Sequence, residues 1–291
     1  MQEALLAYHN RYSASLDRSE KEGTGRIFFK LANTFAPKKT ANLHSLYHYF
    51  RVLDDAVDEA DTVLPVKKII LSEKSGLDRG EFTTLQEEYL RGAFLEHPQA
   101  KRSILTQHLS AIMDIFITDL NIRYYQEPLN TSQLRFRNIR SLWPLVATFS
   151  LGWGNRNPRL TPNFSKLLSA WGTYDNIRDL EEDLNYGLIL ISQEDIKKFE
   201  LKFTDRQQLP IDQLQHYYDS QRIYTSMDLM KNASAIFNIG LPFWMAAVGY
   251  MYFQTRPLKL SKPLMIRDTT TFQVPLDAIN QNREFNALLY Q

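Results

Sequence analysis

Apolar residues recur every three to four positions along most of the chain, and polar or proline-containing breaks separate these stretches. This period matches the α-helix, whereas the strict alternation typical of strands is rare. We therefore predict an all-α protein. The predicted helices span residues 2–18, 24–34, 39–60, 81–96, 99–126, 132–154, 162–187, 208–231 and 234–254, with a further helix near 276–289.

Residues that interrupt helices define the boundaries between these elements. Breaks are predicted at most prolines, including Pro65, and at the pair Ser75-Gly76, so the stretch between residues 60 and 81 receives no helix. The chain contains no internal repeat or low-complexity tract. We interpret residues 1–291 as a single domain in which 257–291 form an irregular tail and a terminal helix.

Composition excludes several classes of protein. The chain is 44% apolar, as expected of a globular protein, and its net charge of +1 argues against nucleic-acid binding driven by bulk charge. Cysteine is absent, which excludes disulfides, cysteine nucleophiles and cysteine-ligated metals. Residues 1–18 lack the apolar core of a signal peptide, so the cytoplasm is the expected location.

One long apolar stretch bears on membrane contact. Residues 236–253 carry no charge and are just long enough to cross a bilayer. Pro242 and two glycines favour a buried core helix instead. Because Lys231, Arg256 and Lys259 flank the stretch, peripheral membrane association is the remaining alternative.

The first of two acidic motifs, residues 54–58, lies in the predicted helix 39–60. On a helical wheel, Arg51, Asp54 and Asp58 fall within about 40° of Tyr47. Asp55 falls on a separate polar arc. An apolar arc adjoins the stripe and consists of Leu46, Phe50, Leu53 and Val57. A single stripe of this kind is also typical of a solvated surface with paired arginine and aspartate.

The second acidic motif, residues 175–183, places four acids on one arc of the predicted helix 162–187, each within about 60° of Asp179. These acids are Asp175, Asp179, Glu182 and Asp183, and Arg178 lies to one side. Like charges four residues apart destabilise a helix by about 0.2–0.5 kcal/mol per pair. Two such stripes are explained if hard cations lie between them, since Mg²⁺ prefers carboxylate oxygens and bridges to phosphates. An acidic surface is the alternative.

The residues around both motifs resemble the squalene/phytoene synthase family, the head-to-head trans-isoprenyl diphosphate synthases. The matching runs are Leu46–Glu59, with the sequence LYHYFRVLDDAVDE, and Arg178–Asp183 followed by Gly187. Between them, Met113-Asp114 to Asp119-Leu120 matches a family helix that ends in a similar Asp-Leu. The resemblance covers about residues 20 to 255.

The resemblance implies an isoprenoid-synthase-type helical bundle around a central cavity. It further implies a prenyltransferase that joins two farnesyl or two geranylgeranyl diphosphates through a cyclopropyl intermediate, as in squalene or carotenoid biosynthesis. Asp54, Asp58, Asp179 and Asp183 are then the catalytic acids. Together with Asp175 they hold Mg²⁺, with Mn²⁺ as an alternative. The predicted diphosphate contacts are Tyr47, Arg51 and Arg178. No dinucleotide motif supports NADPH use.

The chain also departs from the family pattern. The family's Gln and Asn before the second motif are replaced by Gly172 and Asp175, and its Gly-Arg-x-Tyr continues here with Leu188 and Leu190. The lost arginine and tyrosine weaken the expected grip on diphosphate. Two alternatives therefore stay open. One is a catalytically weakened or inactive member that serves as an assembly or scaffold protein, and the other is a single-substrate terpene cyclase.

Overall fold

The structure is a computed structural model that describes residues 37–58, 63–95, 98–125, 127–152, 159–201, 211–232 and 234–235. Helix accounts for 85% of this part of the chain, and it contains no strand. The predicted all-α class is therefore confirmed for the described residues. The central cavity and the isoprenoid-synthase-type topology remain predictions.

Ten α-helices follow one another within the described ranges. They are α1 (Pro37–Asp58), α2 (Val63–Arg79), α3 (Thr84–Tyr89), α4 (Arg91–Leu95), α5 (Gln99–Tyr125), α6 (Thr131–Gly152), α7 (Pro162–Arg178), α8 (Leu180–Asn185), α9 (Gln193–Lys198) and α10 (Ile211–Asn232). The predicted helices 39–60, 99–126, 132–154 and 208–231 match α1, α5, α6 and α10 within a few residues.

Helix α2 corrects the prediction that residues 60–81 contain no helix. Pro65 lies in the first turn of α2, where a backbone N–H would have no partner within the helix, so proline is tolerated there. Gly76 is also helical. A Cβ at this position would lie 2.8 Å from the carbonyl oxygen of Glu81, so a close approach of the chain explains the glycine. The short helix α9 was likewise not predicted.

The predicted helix 162–187 is divided at Asp179, which ends α7 and precedes α8. The backbone N–H of Asp179 still donates to the Asp175 carbonyl at 2.9 Å, and that of Asp183 donates to the Asp179 carbonyl at 2.8 Å. The turn is distorted but continuous, and the acids of the second motif stay on one side. The predicted helix 81–96 is likewise divided, at Leu90.

Packing places the two acidic motifs in neighbouring parts of one helical assembly. Helix α5 packs against α2 and α6, α6 also packs against α1 and α7, and α7 packs against α10. The largest apolar core lies among α1 to α5, and the apolar arc predicted for α1 is buried within it. A second core lies between α7, α8 and α10. The buried faces of α1, α7 and α8 therefore fix the direction in which their acids point.

Several predictions lie outside the described residues. They concern the helices 2–18, 24–34, 234–254 and 276–289 and the tail 257–291, as well as the apolar stretch 236–253. Within the described part of the chain, no helix combines the length and the apolar character that a membrane crossing requires.

Candidate functional site

The first acidic motif forms a compact group of carboxylates at the C-terminal end of α1. Asp54, Asp55 and Asp58 each offer a carboxylate oxygen, and these oxygens lie within 4.8 Å of one another. Arg51, one turn earlier, donates to Asp54 at 2.7 Å and pairs with Asp55 at 2.9 Å. The predicted stripe of Arg51, Asp54 and Asp58 is thus a local cluster with one built-in counter-charge.

Asp55 belongs to this cluster, although the helical wheel assigned it to a separate polar arc. Its side chain is only 7% exposed, whereas that of Asp54 is 39% exposed. The ion pair with Arg51 compensates for the burial. The wheel missed this role because it describes directions around one helix and omits the neighbouring helices that bury Asp55.

In the second acidic motif, Arg178 bridges two of the acids. One guanidinium nitrogen lies 2.9 Å from Asp175, and Nε donates to Asp179 at 2.7 Å in a two-point ion pair. Four apolar residues of the same segment are buried: Ala170, Ile177, Leu180 and Leu184. Arg178 therefore neutralises part of the motif but is shared between Asp175 and Asp179.

The carboxylates of the two motifs act on one another. Burial, the charge of Asp54 and the charge of Asp183 raise the pKa of Asp58 to about 9. Burial and Asp179 raise the pKa of Glu182, Arg51 opposes this rise, and Asp54 adds to it. These effects join residues more than a hundred positions apart in sequence. Both motifs consequently share one electrostatic environment.

Arg123 of α5 ties the ends of the two motif helices together. Its side chain is buried, and its Nε donates to the carbonyl of Tyr186 at 2.7 Å. A second nitrogen donates to the carbonyls of Val57 and Asp58. Carbonyls at helix C-termini lack partners within their own helix and carry partial negative charge. A single guanidinium thus holds the end of α1 beside the turn that follows α8.

A further ion pair lies between α5 and α6. Nε of Arg137 donates to Asp119 at 2.9 Å, and a second nitrogen donates to the other carboxylate oxygen. Both side chains are almost fully buried. The charge of Asp119 raises the pKa values of Asp54 and Asp183, and that of Arg137 lowers them. The pair therefore extends the site from α1 and α8 to α5 and α6.

Acidic side chains outnumber basic ones among the described residues of this region. Burial raises the pKa of Asp175 to about 7, with Arg178 opposing, and burial together with Asp179 raises that of Asp183. Among the described residues, eight carboxyl groups interact here with the guanidinium groups of Arg51, Arg137 and Arg178. Carboxylate oxygens grouped in this way are the ligands that hard divalent cations such as Mg²⁺ or Mn²⁺ prefer.

The family-pattern departures lie in different surroundings. Leu188 and Leu190 are buried in an apolar cluster with Ile122 and Leu129. A Cβ on Gly172 would lie 2.5 Å from Cβ of Asn138, so the Asn138 side chain occupies the space above this glycine.

Tyr47, the predicted diphosphate contact on α1, is half-buried at the edge of the largest core beside the ring of His48.

Six residues of the site are absent from the predicted set: Asp55, Asp119, Arg123, Arg137, Asn138 and Asn176. Asn176 adjoins Asp175 on α7 and contacts both Asn138 and Arg137. The sequence does carry a signal for Arg123, because a charged residue on the apolar side of a long helix requires a buried partner. Asn138 and Asn176 carry no comparable signal.

Comparison with protein-family models, with curated proteins and with solved structures finds no match for this chain. The fold and the site therefore rest on the geometry described above, and the resemblance to squalene and phytoene synthases remains a hypothesis based on the two motifs.

Proposed function

We propose that this chain is a Mg²⁺-dependent prenyltransferase of the squalene/phytoene synthase type. The observation that carries the proposal is the proximity of the two acidic motifs: Arg123 joins the carbonyl of Asp58 to that of Tyr186, and the charge of Asp183 contributes to the raised pKa of Asp58. Acids that raise one another's pKa values destabilise a protein unless cations offset them. Binding of Mg²⁺ together with a diphosphate would explain why these acids lie close together.

The proposed reaction joins two isoprenyl diphosphates of C15 or C20 length. The C–O bond of one allylic diphosphate breaks, and the diphosphate leaves with the bonding electrons. The double bond of the second substrate then attacks the allylic cation, and loss of a proton closes a cyclopropane that retains the second diphosphate. When bound, Mg²⁺ supplies positive charge that stabilises the leaving diphosphate.

The chain's own residues take two roles in this proposal. Asp54, Asp58, Asp175, Asp179 and Asp183 would hold the metal ions. Arg51 and Arg178 contact acids of the two motifs, which supports their proposed role as ligands of a metal-bound diphosphate. The described contacts of Tyr47 involve the core and His48, so its proposed contact with diphosphate rests on the resemblance alone.

A non-catalytic role is the second candidate, and one observation favours it. Leu188 and Leu190, at the positions of the family's arginine and tyrosine, are buried in an apolar cluster. No change in their rotamers could supply a diphosphate contact. A protein that kept the acidic framework and lost this part of the site could serve in assembly.

Product analysis distinguishes these candidates. The purified protein is incubated with Mg²⁺ and farnesyl or geranylgeranyl diphosphate, with and without NADPH, and the lipids are extracted. A coupled C30 or C40 product supports the proposal. A cyclic product from one substrate would identify a terpene cyclase. Absence of both products, together with absence of Mg²⁺-dependent binding of a diphosphate analogue, would favour the assembly role.

Substitution of single acids tests the proposed metal ligands. We expect Asp54→Ala and Asp179→Ala each to abolish turnover, because each removes a ligand that helps to stabilise the leaving diphosphate. Asp228→Ala on the exposed side of α10 is the matched control and should retain activity. Circular dichroism checks that all three variants fold. Full activity of either site variant would refute the assignment of metal ligands.

A further inference from the structure

Arg137 is a fixed cation inside an acidic site. Only 11% of its side chain is exposed, and it forms a two-point ion pair with Asp119, of which 9% is exposed. The pair joins α6 to α5. Because a planar guanidinium that donates to both oxygens of one carboxylate has little freedom to turn, the position of this charge is set by the fold.

Two buried amides hold the remaining side of the guanidinium. One nitrogen of Arg137 lies 3.3 Å from the side-chain oxygen of Asn138 and 3.3 Å from that of Asn176. The amide nitrogen of Asn176 also donates to Asn138 at 3.2 Å. Asn176 lies next to Asp175, so Arg137 is anchored at the second acidic motif as well as on α5.

The charge of Arg137 reaches acids of both motifs. It lowers the pKa values of Asp54, Asp175 and Asp183 against the stronger effect of burial. Three other basic residues lie on the neighbouring parts of the chain: Arg135, Lys197 and Lys198. All three side chains are exposed. Lys198 lies over the ring of Phe199, 4.9 Å from its centre. Of these four basic side chains, it is therefore Arg137 that is buried beside the acidic motifs.

We propose that Arg137 is a permanent counter-ion of the acidic cluster and that it limits how tightly the cluster binds divalent cations. The inference rests on the proposed function, because it concerns the same metal site. A fixed positive charge repels a cation that approaches its neighbouring carboxylates. It also stabilises those carboxylates while no metal is bound. In this role Arg137 is a positioning residue that needs no contact with substrate.

Metal titration of the full chain tests the inference through the sign of the change. Calorimetric titration with Mn²⁺ and Mg²⁺ is applied to the unsubstituted protein and to Arg137→Gln, Arg137→Lys and Arg140→Gln. Removing the charge in Arg137→Gln should tighten metal binding by about tenfold or more. Arg137→Lys keeps the charge and should bind within about threefold of the unsubstituted protein.

Arg140→Gln is the matched control. Arg140 lies on the same helix one turn later, where its guanidinium is 5.5 Å from the centre of the Phe136 ring. The substitution removes the same charge and should leave metal affinity unchanged. A residue that only supports the fold would weaken metal binding when substituted, so tighter binding by Arg137→Gln separates a counter-ion from a structural arginine.

Asp119→Asn provides a second measurement should Arg137→Gln fail to fold. It leaves the charge of Arg137 without its ion-pair partner, so metal binding should weaken by about tenfold. The control is Asp114→Asn. Asp114 lies on α5, as Asp119 does, and pairs with Lys74, so its substitution should leave metal affinity unchanged.

The outcomes separate this inference from the proposed function. Equal metal affinity in Arg137→Gln and Arg140→Gln overturns the inference, whereas product formation by the unsubstituted protein still upholds the function. Tighter binding by Arg137→Gln in a protein that forms no product supports the inference and counts against the enzyme. If neither the unsubstituted protein nor any variant binds metal, the inference is overturned, and the product assay decides the function by itself.

Discussion

At the scale of single residues, the carboxyl group of Asp58 has a strongly raised pKa. Burial and the neighbouring charges of Asp54 and Asp183 raise its pKa from the usual 3.8 to about 9. In the metal-free protein it is therefore protonated at neutral pH. A metal ion that binds to Asp58 must displace this proton, so metal binding and proton release are linked.

The raised pKa of Asp58 predicts how stability depends on pH. The folded state binds a proton that the unfolded state has released at the same pH, so the stabilisation is lost as pH rises from about 4 to about 9. Asp58→Asn should remove this dependence and raise the melting temperature in EDTA at pH 9 by about 2–4 °C. Thermal melts from pH 5 to pH 9 measure the effect, with Asp114→Asn as control. An unchanged or steeper pH profile in Asp58→Asn would contradict the assignment.

Leu188 gives a second prediction at the same scale. An arginine there would match the family pattern, yet the site is an apolar cluster and the side chain is only 4% exposed. Leu188→Arg should destabilise the fold by about 3–5 kcal/mol, because it buries an unpaired charge. Leu160→Arg, at a position 42% exposed, is the control and should be nearly neutral. Urea denaturation measures both, and an unaffected Leu188→Arg variant would show that the side chain reaches the site or solvent.

At the scale of elements, two close contacts hold the motif helices in place. Helix α7 approaches α6 at Gly172, where the side chain of Asn138 fills the space that a Cβ would need. Arg123 of α5 donates to carbonyls at the end of α1 and to the carbonyl of Tyr186. The relative positions of α1, α7 and α8, and hence of their acids, depend on the two central helices α5 and α6.

Gly172→Ala tests the approach of α6 to α7. The added Cβ would lie 2.5 Å from Cβ of Asn138, so the helices must separate, at a cost of about 1–3 kcal/mol. The control is Gly92→Ala on α4, where no atom lies within 4 Å of the added Cβ. This control should be neutral or slightly stabilising, because alanine favours helix. Equal stability of the two variants would mean that α6 and α7 are less closely packed than described.

At the scale of the whole molecule, metal binding should add stability to the folded state. The proposed ligands come from α1 and from α7 and α8, so a bound cation joins elements that are distant in sequence. Because the unfolded chain lacks this arrangement, binding shifts the folding equilibrium towards the folded state. The gain should be larger at high pH, where fewer protons compete for the carboxylates.

Thermal melts with Mg²⁺ and with EDTA measure this gain. With Mg²⁺ at about one hundred times its dissociation constant, the melting temperature should rise by about 4 °C. At one fixed Mg²⁺ concentration, the rise should be greater at pH 9 than at pH 6, because a larger fraction of Asp58 is ionised and fewer protons compete with the metal. Asp54→Ala should abolish the rise, whereas Asp228→Ala should keep it. An equal rise in both variants would place the Mg²⁺ effect outside the candidate site.

The sequence alone determined the helical class and the contents of the two motifs. Periodicity gave the long helices α1, α5, α6 and α10, and wheel geometry placed Arg51, Asp54 and Asp58 on one side of α1. Local patterns suffice for these features because a helix fixes the relations between residues three and four positions apart. Helix α2 was missed because proline in a first turn and glycine at a close contact resemble breaks.

Only the tertiary structure decided what surrounds the acids. The burial of Asp55, the coupling of Asp58 to Asp183, and the placement of Arg123 and Arg137 all depend on contacts between helices that are remote in sequence. In the sequence, Leu188 and Leu190 stand where the family has diphosphate-binding residues. The tertiary structure shows that both are buried in an apolar cluster. A sequence specifies which face of a helix is polar. The charge state of the polar side chains on that face depends on neighbouring helices, because these helices exclude water from the side chains and bring other charges close to them.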